Sequence, residues 1–286
     1  MQDAPSDIAV AGTNAYWVNS SSTNGSVNVV PVAGGKVTTL AAKQSSPASL
    51  AVLGGTVYWT NTNGGNGGGT VNTIPVSGGS VVTLASGQGL PQRIAVDPAR
   101  VYWTNDVSIG TVMSEPLAGG AVATLASGQG YPVGLAVDVN QAYWAVDATQ
   151  AIVTAPLGGG AVTTLASSLG HPEGVALDAA NVYWTDATAG TINRVPKVGG
   201  AVVTLATGEN TPTGIAVDGT SVYWTSTISV FGSVRRVPVA GGAVVILATR
   251  QELPRGIVVD DTSVYWVNVG LPSAGDGTVM RLAIPP

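Results

Sequence analysis

Short stretches of apolar and β-branched residues alternate with polar and glycine-rich turns along the whole chain. Runs such as 214–218 and 222–225 lie a few turn residues apart, which is typical of paired β-strands. A segment such as 110–112 follows and, after a Gly-Gly turn, one such as 121–125. The pattern predicts four short antiparallel strands per unit, which we call a to d.

The dipeptide Tyr-Trp marks one position in every unit and recurs at intervals of 40 to 44 residues. These pairs contain all seven Trp and seven of the eight Tyr, so the large aromatic side chains belong to the scaffold. The pairs begin at Tyr16, Tyr58, Tyr102, Tyr143, Tyr183, Tyr223 and Tyr265. Each unit opens with a proline, at Pro5, Pro47, Pro91, Pro132, Pro172, Pro212 and Pro254.

A four-stranded unit of this length, repeated without helices, matches the blade of a β-propeller. The sequence therefore predicts an all-β, seven-bladed propeller that forms a single domain over residues 1–286, with units starting near 5, 47, 91, 132, 172, 212 and 254. Neighbouring residues of a strand point to opposite faces, so Tyr and Trp should pack against the two adjacent blades. The alternative architecture is a β-solenoid, whose coils are shorter.

The seventh unit lacks the Thr-Leu-Ala type segment that ends the other units, and the chain finishes at 282–286. Only residues 1–4 could supply a substitute. We therefore expect a last blade that is three-stranded, or completed by a very short N-terminal edge. Closure of the ring should then rest on the Tyr-Trp pairs of the first and last units.

Composition narrows the classes of function. The 39 Gly and 17 Pro disfavour a helical bundle, and the normal hydrophobic fraction of 45% argues against disorder. A formal net charge of −5 with scattered Lys and Arg makes nucleic acid a poor partner. The absence of cysteine excludes disulfides and thiolate chemistry. Short apolar runs argue against membrane insertion.

These features lead to expectations about location and assembly. The start Met1-Gln2-Asp3-Ala4-Pro5 reads like an initiator Met placed before a mature exported chain. We expect a secreted, periplasmic or cell-surface protein that is a monomer and carries no cofactor.

The segment Tyr183-Trp184-Thr185-Asp186, with Ile192-Asn193-Arg194 after it, resembles the YWTD propeller repeats of low-density lipoprotein receptors. The resemblance covers all seven units and implies a propeller. At the fourth motif position only Asp186 matches; the other units have Asn19, Asn61, Asn105, Val146, Ser226 and Asn268. Receptor propellers of this class are six-bladed and flanked by disulfides, so the seven cysteine-free units look more like bacterial extracellular propellers of unassigned role.

Candidate binding residues fall in the loops that join strand d to strand a and strand b to strand c, on the face called the top. Ligands of propellers generally bind there, because loops vary on a rigid ring. The residue after each opening Pro should line the rim of the channel, and it differs from unit to unit. The predicted ligand-binding set is Gln92, Arg93, Tyr131, His171, Glu173, Thr213 and Arg255.

Four other features of the sequence are candidate sites. Strand a ends in Asp97, Asp138, Asp178, Asp218 and Asp260, which could hold a cation but which we interpret as turn residues. We interpret the loop residues Asp106, Asp147, Asp186 and Asp276 as solubilising charges. Segment 64–69 is glycine-rich but lacks the Lys of a phosphate-binding loop, so we interpret it as a flexible b-to-c loop. Phe231 is the expected anchor of a partner-facing rim.

No nucleophile elbow is present and His171 is the only histidine, so serine hydrolase and multi-histidine metal chemistry are disfavoured. The prediction is a non-catalytic binding or scaffolding propeller that recognises a small molecule, glycan or protein on its top face. No catalytic and no metal residues are assigned. The alternative is a hydrolase or lyase with its active site around His171 and Glu173.

Overall fold

The computed structural model describes residues 2–63, 67–271 and 275–284. Within these ranges the chain forms seven antiparallel sheets and no helix, and no segment there forms a helix that could span a membrane. The first strands of the seven sheets lie side by side around a ring that closes between the last and first sheets. The predicted all-β, seven-bladed propeller is confirmed; part of the glycine-rich loop, 64–66, lies outside the described residues.

The strands of each blade follow chain order from the channel outward. Blades one to three contain β1 (Pro5–Ala11), β2 (Asn14–Asn19), β3 (Gly25–Pro31), β4 (Thr38–Gln44), β5 (Pro47–Leu53), β6 (Thr56–Asn61), β7 (Gly69–Pro75), β8 (Val82–Gln88), β9 (Pro91–Val96), β10 (Arg100–Asn105), β11 (Gly110–Pro116) and β12 (Ala123–Gln129).

Blades four to six contain β13 (Pro132–Val137), β14 (Gln141–Val146), β15 (Ala151–Pro156), β16 (Thr163–Ala166), β17 (Pro172–Leu177), β18 (Asn181–Asp186), β19 (Thr191–Pro196), β20 (Val203–Thr207), β21 (Pro212–Val217), β22 (Ser221–Ile228), β23 (Phe231–Pro238) and β24 (Val245–Glu252). Blade seven contains β25 (Pro254–Val259), β26 (Ser263–Asn268) and β27 (Thr278–Ala283).

The hydrophobic core lies between the blades. Each Trp faces the preceding blade, where it shares an apolar cluster with that blade's residues, as Trp59 does with Tyr16 and Trp103 with Tyr58. The repeat Trp residues are at most 2% exposed. Because aromatic side chains bury large apolar areas, this packing between blades accounts for the regular Tyr-Trp pairs.

Each Trp indole also needs a hydrogen-bond acceptor, and the preceding blade supplies it. Gln88, at the end of β8, accepts at Oε1 from Trp103 Nε1 (2.8 Å) and from Asn105 Nδ2 (3.0 Å). The acceptor always precedes its Trp by 15 residues. The other such pairs are Gln2–Trp17, Gln44–Trp59, Gln129–Trp144, Glu209–Trp224 and Gln251–Trp266.

Blade five breaks this rule. Leu169 stands at the acceptor position, and the buried Nε1 of Trp184 has no hydrogen-bond partner among the described residues. Leu169 instead packs on the apolar cluster between blades four and five. An unpaired buried donor destabilises a fold, so the Trp184 seam is weaker in hydrogen bonding than its counterparts.

Blade seven has three strands in the described part of the chain, as expected. Gln2 is the very short N-terminal edge: its amide donates to the carbonyl of Gly277 (2.8 Å). A Cβ at Gly277 would lie 2.4 Å from Pro5 Cδ, so only glycine allows the two ends of the ring to approach this closely. Trp17 and Tyr265 share the apolar cluster at this seam, which confirms closure by sheet packing.

We expect Gln88→Leu to lower the free energy of unfolding by about 1–3 kcal/mol, because it leaves the buried Trp103 Nε1 without an acceptor and removes one of the two acceptors of Asn105 Nδ2. Denaturant unfolding followed by Trp fluorescence measures the change. Leu169→Gln is the matched control: it adds the missing acceptor beside Trp184 and should not show a loss of that size. Equal destabilisation by both changes would show that the acceptor contributes nothing.

Candidate functional site

The seven inner strands surround a channel that contains a cavity of about 460 Å³. The residue after the opening Pro lines it in six blades: Ser6, Ala48, Gln92, Glu173, Thr213 and Arg255. Val133, the seventh, lines an adjoining cavity. The rim position predicted from the repeat therefore lies at the channel, and its side chains differ in charge and size.

The adjoining cavity, which we call the top pocket, measures about 320 Å³. It brings together six of the seven predicted ligand-binding residues. The seventh, Thr213, lines only the channel cavity and its hydroxyl lies 3.2 Å from that of Thr225. The residues of the top pocket are Gln92, Arg93, Asp106, Tyr131, Val133, Asp147, His171, Glu173 and Arg255.

His171 lies between two carboxylates in this pocket. Its Nδ1 contacts Asp147 Oδ1, and its Nε2 lies 3.5 Å from Glu173 Oε1. All three side chains are about one-third exposed. The Asp147 carboxylate at one ring nitrogen orients the imidazole, and the other nitrogen faces the Glu173 carboxylate.

The backbone of His171 is held by Asp186, whose carboxylate is buried. Asp186 Oδ2 accepts from the amide of Gly170 (2.7 Å), and Oδ1 accepts from the amides of His171 and Ala189 (both 2.9 Å). Asp186 is 2% exposed, so our interpretation of it as a solubilising charge is wrong. Three backbone amides converge on this carboxylate, and a carboxylate is a strong acceptor.

The loop before His171 also differs in backbone conformation. The residue before the opening Pro has a left-handed φ of 40° to 53° in the other six blades, including Tyr131 at 53°. His171 is outside that region. Blade five, whose Trp184 has no acceptor among the described residues, is thus also the blade in which the Asp186 carboxylate binds the top loop at His171.

Asp106 and Asp147 are functional candidates that our sequence analysis took for solubilising charges. Each follows strand b directly, and their amides donate to the carbonyls of Leu90 (3.0 Å) and Tyr131 (3.2 Å). These bonds place both carboxylates beside the d-to-a loops. The available signal was positional: among the seven units, this place carries an acid only in blades three and four, next to Arg93 and His171.

The charges in the pocket act on each other. Burial, together with repulsion from Asp147, raises the pKa of Asp106, and the positive charge of Arg93 opposes this. Arg93 also faces the channel, where burial raises the pKa of Asp7 and Arg93 again opposes it. Asp7 accepts from Ser49 Oγ (2.7 Å) and Leu50 N (3.1 Å), and our sequence analysis did not single it out.

Close approach of blades four and five supports the pocket from below. A Cβ at Gly134 would lie 2.0 Å from the carbonyl oxygen of Glu173, so glycine is required where these inner strands meet. Farther around the ring, the Thr225 hydroxyl donates to the carbonyl of Arg255 (2.8 Å) and accepts from the amide of Gly214 (3.0 Å). The inner strands that carry the pocket residues are therefore closely packed against each other.

The five Asp residues that end strand a are turn residues, as interpreted. Asp178 Oδ1 accepts from the amides of Ala180 (2.7 Å) and Asn181 (2.6 Å), and Oδ2 accepts from the Tyr183 hydroxyl (2.6 Å). Asp97, Asp138, Asp218 and Asp260 make the equivalent bonds. No group of three His, Asp or Glu arranged for a metal occurs in the described ranges.

Phe231 lies elsewhere, on the outer part of blade six. It is 49% exposed and borders a cavity of about 720 Å³ together with Ile228 and Arg250. This cavity shares no lining residue with the top pocket. The partner-facing rim around Phe231 stays a prediction.

No family model and no curated protein matches the sequence. Virginiamycin B lyase from Staphylococcus aureus is similar in structure with a TM-score of 0.82, covering 100% of this chain and 96% of its own at 14% identity. A streptogramin B lyase is similar in structure with a TM-score of 0.80, covering 99% of this chain and 94% of its own at 13% identity. A chain of a nidogen/laminin complex is similar with a TM-score of 0.64, covering 80% of this chain and 90% of its own at 20% identity. Such low identities show a shared propeller fold, and kinship with YWTD proteins stays a prediction.

We expect Asp178→Ala to lower the free energy of unfolding by about 1–3 kcal/mol at pH 7, because it removes three hydrogen bonds. Burial raises the pKa of Asp178, but the bonds from Tyr183 and the two amides outweigh burial and lower it. The carboxylate therefore stabilises the fold fully above about pH 3.9, the unfolded value, and this stabilisation is lost as pH falls through the lower folded pKa.

The measurement is denaturant unfolding of both proteins from pH 7 to pH 2, in which the difference between their free energies of unfolding should shrink at the acid end.

Wild-type protein should keep its melting temperature in EDTA. A large drop in EDTA would instead support the cation ring that we weighed for these five residues.

Proposed function

We propose that this chain is a non-catalytic binding propeller and that its top pocket holds a small polar ligand with both an anionic and a cationic group. The observation that supports this is the mixture of charges in one cavity: Arg93 and Arg255 together with Asp106, Asp147 and Glu173. They come from blades three, four, five and seven. Most other positions of the repeat are copied between blades, so this rim departs from the scaffold.

The chemistry of each group suits such a ligand. Arginine binds carboxylate or phosphate through two parallel hydrogen bonds, which favours Arg93 and Arg255 as the anion side. The carboxylates Asp106, Asp147 and Glu173 can accept from an ammonium or from hydroxyls. Tyr131 is 46% exposed at the pocket and offers a ring face to the ligand.

Size favours a small molecule over a protein segment at this site. The top pocket of about 320 Å³ shares Gln92, Arg93, Glu173 and Arg255 with the channel cavity of about 460 Å³. Cavities of roughly 300 to 1,000 Å³ are usual for small ligands. Free amino acids and dipeptides fit both the size and the mixture of charges.

The test is a thermal-shift screen with amino acids, dipeptides, amino sugars and sugar acids, followed by calorimetry on the hits. We expect Arg255→Ala or Glu173→Ala to weaken binding of a hit by about 1.5–3 kcal/mol through a lost charge-assisted bond, with folding nearly unchanged. The triple variant Arg93→Ala, Glu173→Ala, Arg255→Ala should abolish the shift.

The matched control is Lys36→Ala, Lys43→Ala, Asp261→Ala, which makes the same change in charge at exposed positions outside the pocket. It should bind as the wild type does. A hit that keeps full affinity in the pocket variant binds elsewhere, and the cavity around Phe231 is the next place to examine.

A second candidate is an enzyme, and the contact between His171 and Asp147 favours it. An imidazole oriented by a carboxylate can act as a general base, with Nε2 facing the pocket. Two proteins of similar fold are lyases of virginiamycin B and streptogramin B, so those compounds are the rational first substrates.

The enzyme candidate predicts consumption of virginiamycin B by the purified protein, followed by liquid chromatography, and loss of that activity in His171→Gln. Arg250→Ala, outside the pocket, should retain it. If the protein consumes no virginiamycin B at high concentration, in the presence or absence of divalent cations, the result contradicts the enzyme candidate for this compound.

A further inference from the structure

The outer edge of blade seven is the one place where the repeat leaves a strand position open in the described structure. In the other six blades, strand c pairs with an outer strand d. Along β27, the only main-chain partner on that side among the described residues is Gln2, which bonds Gly277. The corresponding residues of blade one, Gln44 and Gly25, are paired in the same register.

A cavity of about 380 Å³ lies along this edge, at the seam between blades seven and one. Its lining includes Ala15, Trp17 and Val279. By position in the repeat, the equivalent residues at the boundary between blades three and four are Ala142, Trp144 and Val112. Those three pack with Leu125 and Ala126 of the outer strand β12 in one apolar cluster.

The side chains that fill this place elsewhere are constant. Every outer strand contains Leu followed by Ala, at Leu40, Leu84, Leu125, Leu165, Leu205 and Leu247. Where the strand is present, the first apolar residue of strand c is fully buried, as Val27, Val71 and Val112 are at 0% exposure. Val279 is only partly buried.

The described residues of β27 have counterparts that pair with an outer strand in other blades. Arg281 occupies the position of Arg194 and Arg236, both of which pair with residues of an outer strand. Met280 corresponds to Met113, which pairs with Thr124 of β12. The residues of β27 are therefore of the kinds that accept a Thr-Leu-Ala strand in other blades.

We propose that this edge binds an extended segment of a partner protein that carries Leu followed by Ala, added as the fourth, antiparallel strand of blade seven. The main chain of the segment pairs with β27, and its Leu and Ala side chains enter the cavity beside Trp17 and Val279. This is strand addition, a recurring mode of peptide recognition in which backbone bonds supply affinity and side-chain pockets supply specificity.

The probe is a labelled synthetic peptide with the sequence of residues 122–128, Val-Ala-Thr-Leu-Ala-Ser-Gly, added to the intact protein. We expect saturable binding by fluorescence anisotropy and slower hydrogen exchange of amides in β27. A control peptide with Asp in place of Leu and of the following Ala should bind at least about tenfold more weakly. Val279→Glu should lose binding, and near-ultraviolet circular dichroism confirms that this variant is folded.

If Val279→Glu does not fold, the exchange pattern decides alone: protection confined to β27 supports the proposal. Equal binding of both peptides, protection elsewhere, or no binding at millimolar peptide would overturn it. A dimer that forms without peptide and itself protects β27, seen by light scattering, would show that a second copy of the chain covers this edge instead.

Discussion

The structure depends on burial of seven indole rings between blades, six of which have a hydrogen-bond acceptor for the indole N–H. Apolar packing alone would press neighbouring sheets together, but a buried donor without an acceptor costs about as much as a lost hydrogen bond. At six of the seven boundaries a side-chain oxygen of the preceding blade meets this need, as that of Gln88 does for Trp103, whereas Trp184 Nε1 has no partner among the described residues. At these boundaries the preceding blade is thereby tied by a side-chain hydrogen bond to strand b of the next.

The periodic sequence predicted the fold well, because each blade repeats the same solution. Spacing of the Tyr-Trp pairs gave the number of blades, and the missing Thr-Leu-Ala segment gave the three-stranded last blade. The Gln-Trp bonds were not predicted, since their partners are 15 residues apart and belong to different blades. Alternation within one strand carries no information about a contact between sheets.

The candidate site was predicted in part for the opposite reason: it consists of exceptions to the repeat. Six of the seven proposed residues line one pocket because the residues flanking each opening Pro meet at the same rim. Asp106 and Asp147 were interpreted as solubilising charges because an acid in a loop is usually solvated, and only the fold shows that both line the top pocket. The interpretation of Asp186 was wrong because buried carboxylates are rare, and the sequence alone does not show that backbone amides such as that of His171 converge on this one.

The 15-residue separation of acceptor and indole has a consequence for the modularity of this chain. A blade cut out between its opening Pro and the end of its outer strand would keep a Trp whose acceptor was left behind and a Gln whose donor was left behind. The structural repeat and the smallest self-sufficient unit therefore do not coincide. Duplication of any stretch one period long preserves every Gln-Trp pair, so such a ring can gain or lose blades without new contacts at its seams. Segments 83–89 and 124–130 are identical in sequence, and each contains the acceptor Gln. This identity is consistent with growth by duplication.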